Sequence, residues 1–136
     1  KRFDRGETNL LLGMGSFWEG ADFAQQDKVI EIITRLPFDN PKDPFYQKIE
    51  SLFSKQGKST FDSYSLPMMV LRFKQAIGRA QRRPEQRSAI LLMDNRPLVK
   101  SYGKLFIKEV SQEVTLRHAP FKQIKEDIQE FLEKEC

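Results

Sequence analysis

Three apolar runs limit how this chain can fold: NLLLGMG (Asn9–Gly15), VIEIITRL (Val29–Leu36) and SAILLMD (Ser88–Asp94). The first is short, almost continuously apolar and closes on glycines, which suits a strand buried on both faces, as in a parallel sheet. The second is rich in β-branched residues. All three are bounded by glycine, proline or charged turns, as strands are. Helical patterns fill the intervals between them. DPFYQKIESLFSKQG puts Phe45, Ile49, Leu52 and Phe53 on one stripe, with Pro44 suited to a first turn and Gly57 to a stop. Asp94 or Asn95 can cap a helix that starts at Pro97 and carries Leu98, Tyr102, Leu105 and Phe106. EVTLRHA (Glu113–Ala119) is a weaker strand candidate, and Phe121, Ile124, Ile128, Phe131 and Leu132 form a last amphipathic stripe, in a terminal helix at about 120–135. Strands alternating with helices predict an α/β fold with a parallel sheet flanked by helices. FDNPKDP (Phe38–Pro44) reads as a turn-rich loop and SKQGKSTFDSYS (Ser54–Ser65) as a flexible segment.

The most informative helix is MVLRFKQAIGRAQRR, Met69 to Arg83. At about 100° per residue, Val70, Phe73, Ile77 and Ala80 line one side, while Gln75, Gly78, Arg79 and Arg82 share the other. The first side wants a core. The second presents two guanidiniums and an amide around a gap at Gly78, which lets a ligand or another backbone come close. Arginine suits anion binding because its planar fork meets phosphate oxygens in fixed geometry and stays charged. A solvated basic helix face is the commoner meaning of such a pattern.

At 136 residues with 39% hydrophobic content and 11 Phe, the chain has material for one domain with a real core. The net charge of +4 only mildly favours an anionic partner. No apolar run reaches the ~20 residues needed to cross a bilayer, and the basic start lacks a signal-peptide hydrophobic region. A cytoplasmic chain with no membrane partner is expected. Its one cysteine, Cys136, and its one histidine, His118, form no metal set, so no metal site and no cysteine-ligated cluster is expected in this chain.

GSFWEGADF (Gly15–Phe23) follows directly on the first apolar run, at the carboxyl end of a predicted strand, where open parallel sheets bind ligands. Ser16 offers a hydroxyl and an amide to phosphate, while Glu19 and Asp22 are acceptors for waters, a ribose or an arginine. It is not a P-loop, because Ala21 and Asp22 stand where lysine and Ser/Thr are required after Gly15 and Gly20. Nor is it a dinucleotide fingerprint, since Trp18 occupies the third glycine position after Gly13 and Gly15. Phe17 and Trp18 read first as packing of the loop and second as a base stack.

These stretches resemble the DinG and XPD branch of superfamily 2 helicases. GSFWEGADF is similar to motif V of that branch, and QAIGRAQR (Gln75–Arg82), with its Q-x-x-G-R-x-x-R pattern, to motif VI. RLPFDNPKDP, SYSLPMMVLRFKQ and MDNRPLVKSYGKLF extend the likeness in order from about Asn9 to Phe106. The sequence departs from the branch at Ala80-Gln81, which is less apolar than usual, and in RRPEQR (Arg82–Arg87), which lacks a common glycine.

The resemblance implies that residues 1–136 are the later, incomplete part of a second RecA-like motor domain, with motif V at 15–23 and motif VI at 75–82. Arg79 and Arg82 would be arginine fingers on the γ-phosphate, and Gln75 would sit near the phosphate or the attacking water. Gly20, Asp22, Glu19 and Gly78 would border the nucleotide, and Gly15, Ser16 and Phe17 the single-stranded DNA. ATP and Mg2+ would be held mainly by the first RecA-like domain of the same polypeptide, so this chain alone is expected to be inactive. A non-motor nucleic-acid-binding or regulatory module attached to an exonuclease is the alternative. A free-standing nucleotide-binding enzyme is disfavoured by the missing P-loop and dinucleotide fingerprint.

Overall fold

The computed structural model describes residues 26–133. The predicted strand at 9–15 and the loop at 15–23 lie outside them. Within the described residues, β1 (Lys28–Ile33) and β2 (Arg87–Leu92) pair in parallel, from Lys28 opposite Arg87 to Ile33 opposite Leu92. Each starts one residue before its predicted apolar run and stops short of the run's carboxyl end, at Ile33 rather than Leu36 and at Leu92 rather than Asp94. Beyond β1 the chain turns at Pro37, where the Phe38 amide donates to the Leu36 carbonyl at 2.8 Å.

The crossover between the strands holds α1 (Pro44–Lys55) and α2 (Leu66–Ala80). Asp43 caps α1 by accepting from the amides of Phe45 and Tyr46, and Pro44 occupies its first turn. The buried side of α1 differs from the predicted stripe, since Phe45 and Leu52 are exposed. Tyr46 and Phe53 instead approach Tyr64, each with ring centroids 6.4 Å away. The segment read as flexible carries structure. Gly57 turns the chain at φ 65°, and Phe61–Ser65 forms a π-helical turn leading straight into α2. Ser65, buried there, shares a 2.9 Å hydrogen bond with the Tyr46 hydroxyl.

The predicted apolar side of α2 is the core of the molecule, with Val70, Phe73, Ile77 and Ala80 all buried together with Met69 and Ala76. Ile33 and Leu36 meet it from β1 and its exit, and Phe106 meets Phe73 edge-to-face at 5.0 Å. On the other sheet face Ile30 and Ile32 remain exposed.

The helix predicted from Pro97 is broken into α3 (Arg96–Val99) and α4 (Gly103–Val110). Lys100 is extended between them, and α4 folds back so closely that a Cβ on Gly103 would lie 1.8 Å from the Pro97 carbonyl oxygen. Only glycine fits at that crossing. No strand forms at 113–119. Alternating apolar residues need a neighbouring strand to pair with, and here only Val114 packs on the core while Leu116 is exposed. The segment passes into α5 (Phe121–Glu133), tied by a 2.9 Å ion pair from Arg117 to Asp127. Arg87 holds the other end of α5, donating to the Phe131 carbonyl at 2.6 Å and lying over the Phe131 ring. Phe121 and Phe131 are exposed, so the terminal stripe is narrower than predicted. No helix of the described residues is long and apolar enough to cross a membrane.

Candidate functional site

Of the residues singled out around α2, Arg79 and Arg82 end up toward the amino edge of the sheet. At the middle of α2, Arg72 donates to the Pro37 carbonyl and pairs with Asp39 at 2.7 Å, beyond the carboxyl end of β1. Past its end, Arg83 pairs with Asp27 at 2.8 Å, just ahead of β1. The helix therefore runs antiparallel to both strands and delivers Arg79 and the following loop to the strands' amino ends.

The helix is shorter than the sequence pattern implies. Gln81 caps it in an extended conformation (φ −125°, ψ 97°), so Arg82 leaves from the loop rather than sharing a helical face with Gln75, Gly78 and Arg79. What stops the helix is Gln86, a buried polar residue that the sequence reading missed. Its side-chain oxygen accepts from the Arg82 amide at 2.7 Å, and its side-chain amide donates to the Gln26 carbonyl at 2.7 Å. A glutamine side chain thus organises this turn. Nothing in local sequence periodicity marks such a residue, because its partner at Gln26 is 60 residues away.

Gln75, Gly78 and Arg82 are exposed, and Arg79 is half-buried. Among the described residues, no atom outside the helix's own backbone lies within 4 Å of where a Cβ on Gly78 would stand, so they leave a gap beside Arg79. Arg79 also acts on the sheet, where Glu31 faces α2 from the middle of β1. Burial raises the Glu31 carboxyl above its ordinary range, the positive charge of Arg79 only partly offsets this, and the Glu31 Oε2 is buried with no hydrogen-bond partner. A carboxyl raised in the folded state stabilises the fold when protonated, and that contribution is lost as pH rises through the raised value. Glu31→Gln should therefore raise the thermal midpoint of the intact protein at pH 7. The gain should vanish near pH 4, and melts at the two pH values check it.

The opposite, carboxyl edge is organised by Asp94. Burial alone raises its carboxyl, but bonds from the Arg96 side chain and from the Leu36 and Arg96 amides, with the Arg96 charge, outweigh it and bring the pKa down to about 2. Leu36 N donates to Oδ2 at 2.9 Å, and Arg96 Nη2 lies 2.5 Å from the same oxygen. Asp94 thus ties the exits of both strands together and caps the turn into α3, the capping role its position in the sequence suggests. Beside it Thr34, Arg35, Met93, Asn95 and Arg96 line an open groove of about 410 Å³. Gly15, Ser16, Phe17, Glu19, Gly20 and Asp22 lie outside the described residues. The described chain begins three residues after Phe23, at Gln26, whose carbonyl accepts from the Arg83 and Gln86 side chains.

A family model described as the helicase C-terminal domain matches residues 1–113, which leaves α5 beyond it. The chain is 38% identical over 107 residues to the 3'-5' exonuclease DinG of Bacillus subtilis, covering 79% of this chain and 12% of that protein. It is 35% identical over 107 residues to the ATP-dependent DNA helicase YoaA of Escherichia coli, covering 79% and 17%. Over 131 residues it is 34% identical to the 3'-5' exonuclease DinG of Staphylococcus aureus, covering 96% and 13%. The chain thus spans between 12% and 17% of the length of these relatives. No solved structure matches it. The match over most of its length and the ordered motifs place it: the chain belongs to the helicase C-terminal domain family, as a DinG-like member.

Proposed function

We propose that this chain is the later part of the second motor domain of an ATP-dependent DNA helicase, and that it completes an ATP site shared with a first RecA-like domain of the same polypeptide. One observation carries the reading. A helix anchored in the core by one side delivers Arg79, then Arg82 on an exposed loop, beside a glycine with no other described residue in front of it. Two guanidiniums next to an open gap fit phosphate oxygens. The bound Mg2+–ATP supplies the transferable phosphoryl group. The work of this chain is to set two forked donors where negative charge grows on that group's oxygens. Because Gln86 ties Arg82 to Gln26, and Arg83 pairs with Asp27, motion of the chain arriving from motif V is transmitted to the arginine loop. Gly20, Asp22 and Glu19 complete the nucleotide border in this reading, with Gly15, Ser16 and Phe17 on DNA.

The test is ATP hydrolysis and strand separation by the intact protein with and without single-stranded DNA. Stimulated hydrolysis is expected, and its absence contradicts the motor reading. Gly78→Ala separates site from scaffold. Its methyl meets open space in a helix, so the fold should hold or gain about 0.5–1 kcal/mol. DNA-stimulated ATPase should nonetheless fall at least roughly tenfold, about 1.4 kcal/mol of barrier. Unchanged turnover would remove Gly78 from the nucleotide border.

A second reading has the chain serve a nuclease without being a motor, and it is favoured by the exonuclease names of the Bacillus and Staphylococcus relatives. It predicts nuclease activity in the intact protein with no ATP-driven unwinding.

A further inference from the structure

At the carboxyl edge, on the far side of the sheet from the arginine loop, three aromatic rings come together from separate parts of the chain. Phe38, after β1, is stacked on Phe61 of the π-helical turn with centroids 5.8 Å apart and planes 22° from parallel. Tyr102, between α3 and α4, closes on both, at 5.7 Å from Phe38 and 5.4 Å from Phe61. Phe61 stays 39% exposed although Phe38 and Tyr102 hold it in place. The cluster is continuous with the groove, because the guanidinium of Arg96, a groove residue, stands 5.3 Å from the centre of the Phe38 ring.

Phe38, Phe61 and Tyr102 form no part of the predicted nucleotide border or DNA loop. We propose that this edge is a binding site for single-stranded nucleic acid, with a base stacked on Phe61 and the neighbouring phosphate taken by Arg35 in the groove. The proposal rests on the helicase reading above for its choice of ligand and goes beyond it in location and residues.

Chemistry distinguishes such a site from a patch for a protein partner. A supported, partly exposed ring offers a flat face that any base can cover, and stacking on aromatics tolerates sequence. The groove beside it is polar rather than apolar, with Thr34, Asn95 and Arg35 on its walls. Its one carboxylate, Asp94, is neutralised by Arg96 and so does not repel a phosphate. Exposed Lys58 and Lys100 lie three residues before Phe61 and two before Tyr102; Asp62 beside Phe61 runs against this sign, and Asp39 beside Phe38 is paired with Arg72. The carboxyl ends of parallel strands are also where open sheets hold ligands.

The experiment uses the intact protein, without nucleotide, and fluorescently labelled oligothymidylate over a range of KCl concentrations. Phe61→Ala should weaken binding roughly 5- to 100-fold, the loss expected for one stacked base. The slope of log affinity against log salt should stay the same, since no phosphate contact is removed. Phe61→Trp should restore affinity. Arg35→Ala should weaken binding and flatten that slope by about one phosphate contact. An oligonucleotide carrying abasic sites should bind wild type less tightly than the parent but should bind Phe61→Ala as well as the parent does.

Affinity for Phe61→Ala within twofold of wild type overturns the proposal. So does an equal abasic penalty in both proteins, which would make Phe61 a structural or protein-docking residue. If Phe61→Ala does not fold, the Phe61→Trp, Arg35→Ala and wild-type abasic measurements still decide. Binding without ATP keeps this outcome separate from the motor reading, whose failure appears as absent DNA-stimulated hydrolysis in the wild type.

Discussion

Replacing Arg79 or Arg82 by alanine should cut DNA-stimulated ATP hydrolysis by the intact protein roughly 10³-fold, the lower end of what an arginine supplied across a cleft contributes to phosphoryl transfer. Arg79→Lys should not restore it, because a point charge cannot reproduce two fixed donors. Neither change should unfold the protein. Arg82 is exposed beyond the end of α2, and the amide by which Gln86 holds its loop is kept in the alanine variant. Arg79 differs in one respect. Its charge is what partly offsets the burial of Glu31, so Arg79→Ala should push that carboxyl higher still and destabilise the fold slightly at neutral pH. The double variant Glu31→Gln with Arg79→Ala should recover the stability without recovering turnover. Steady-state rates, with folding followed by circular dichroism, check both halves.

The largest effect on stability is expected at Asp94. Its side chain is only 6% exposed and accepts from two backbone amides and a guanidinium. Asp94→Ala leaves the Leu36 amide and Arg96 without their acceptor and frees the exits of β1 and β2 from one another. Breaking one partner of a buried pair costs about 3–5 kcal/mol, and since Arg96 is itself 33% exposed we expect roughly 3.

The same residue sets an acid limit. A carboxyl lowered to about 2 from 3.8 stabilises the fold above its ordinary range and loses that contribution as pH falls toward 2. The shift is worth roughly 2 kcal/mol. Denaturant unfolding at pH 6 and near pH 2.5 should therefore show the gap between wild type and Asp94→Asn shrinking in acid. A gap independent of pH would mean that Asp94 does not titrate as its bonds imply.

The features readable in the sequence were those set by local periodicity. The apolar side of α2 follows from its spacing, and every residue assigned to it is buried. The two described strands, Pro44 in the first turn of α1 and the cap offered by Asp94 depend on neighbours one to three residues apart or on runs of one character. What the sequence hid depends on distant partners. Arg82 lies beyond the helix because Gln86 reaches back to Gln26. The helix predicted from Pro97 divides because Gly103 closes on the Pro97 carbonyl, a contact no periodicity encodes. EVTLRHA has the alternation of a strand but no strand beside it among the described residues. Phe61 looked like part of a loose loop because its companions, Phe38 and Tyr102, are 23 and 41 positions away.

The central claim is that the arginines at the end of α2 act on charge that grows during phosphoryl transfer. The most direct measurement is the affinity of the intact protein, with single-stranded DNA, for Mg2+–ADP alone and for Mg2+–ADP with aluminium fluoride, in wild type and in Arg79→Ala. Binding of Mg2+–ADP should be nearly the same in both proteins, while the tighter binding conferred by the fluoride in wild type should be lost in Arg79→Ala. Equal tightening in the two proteins would contradict the assignment, because a finger that ignores the transition-state mimic is not one.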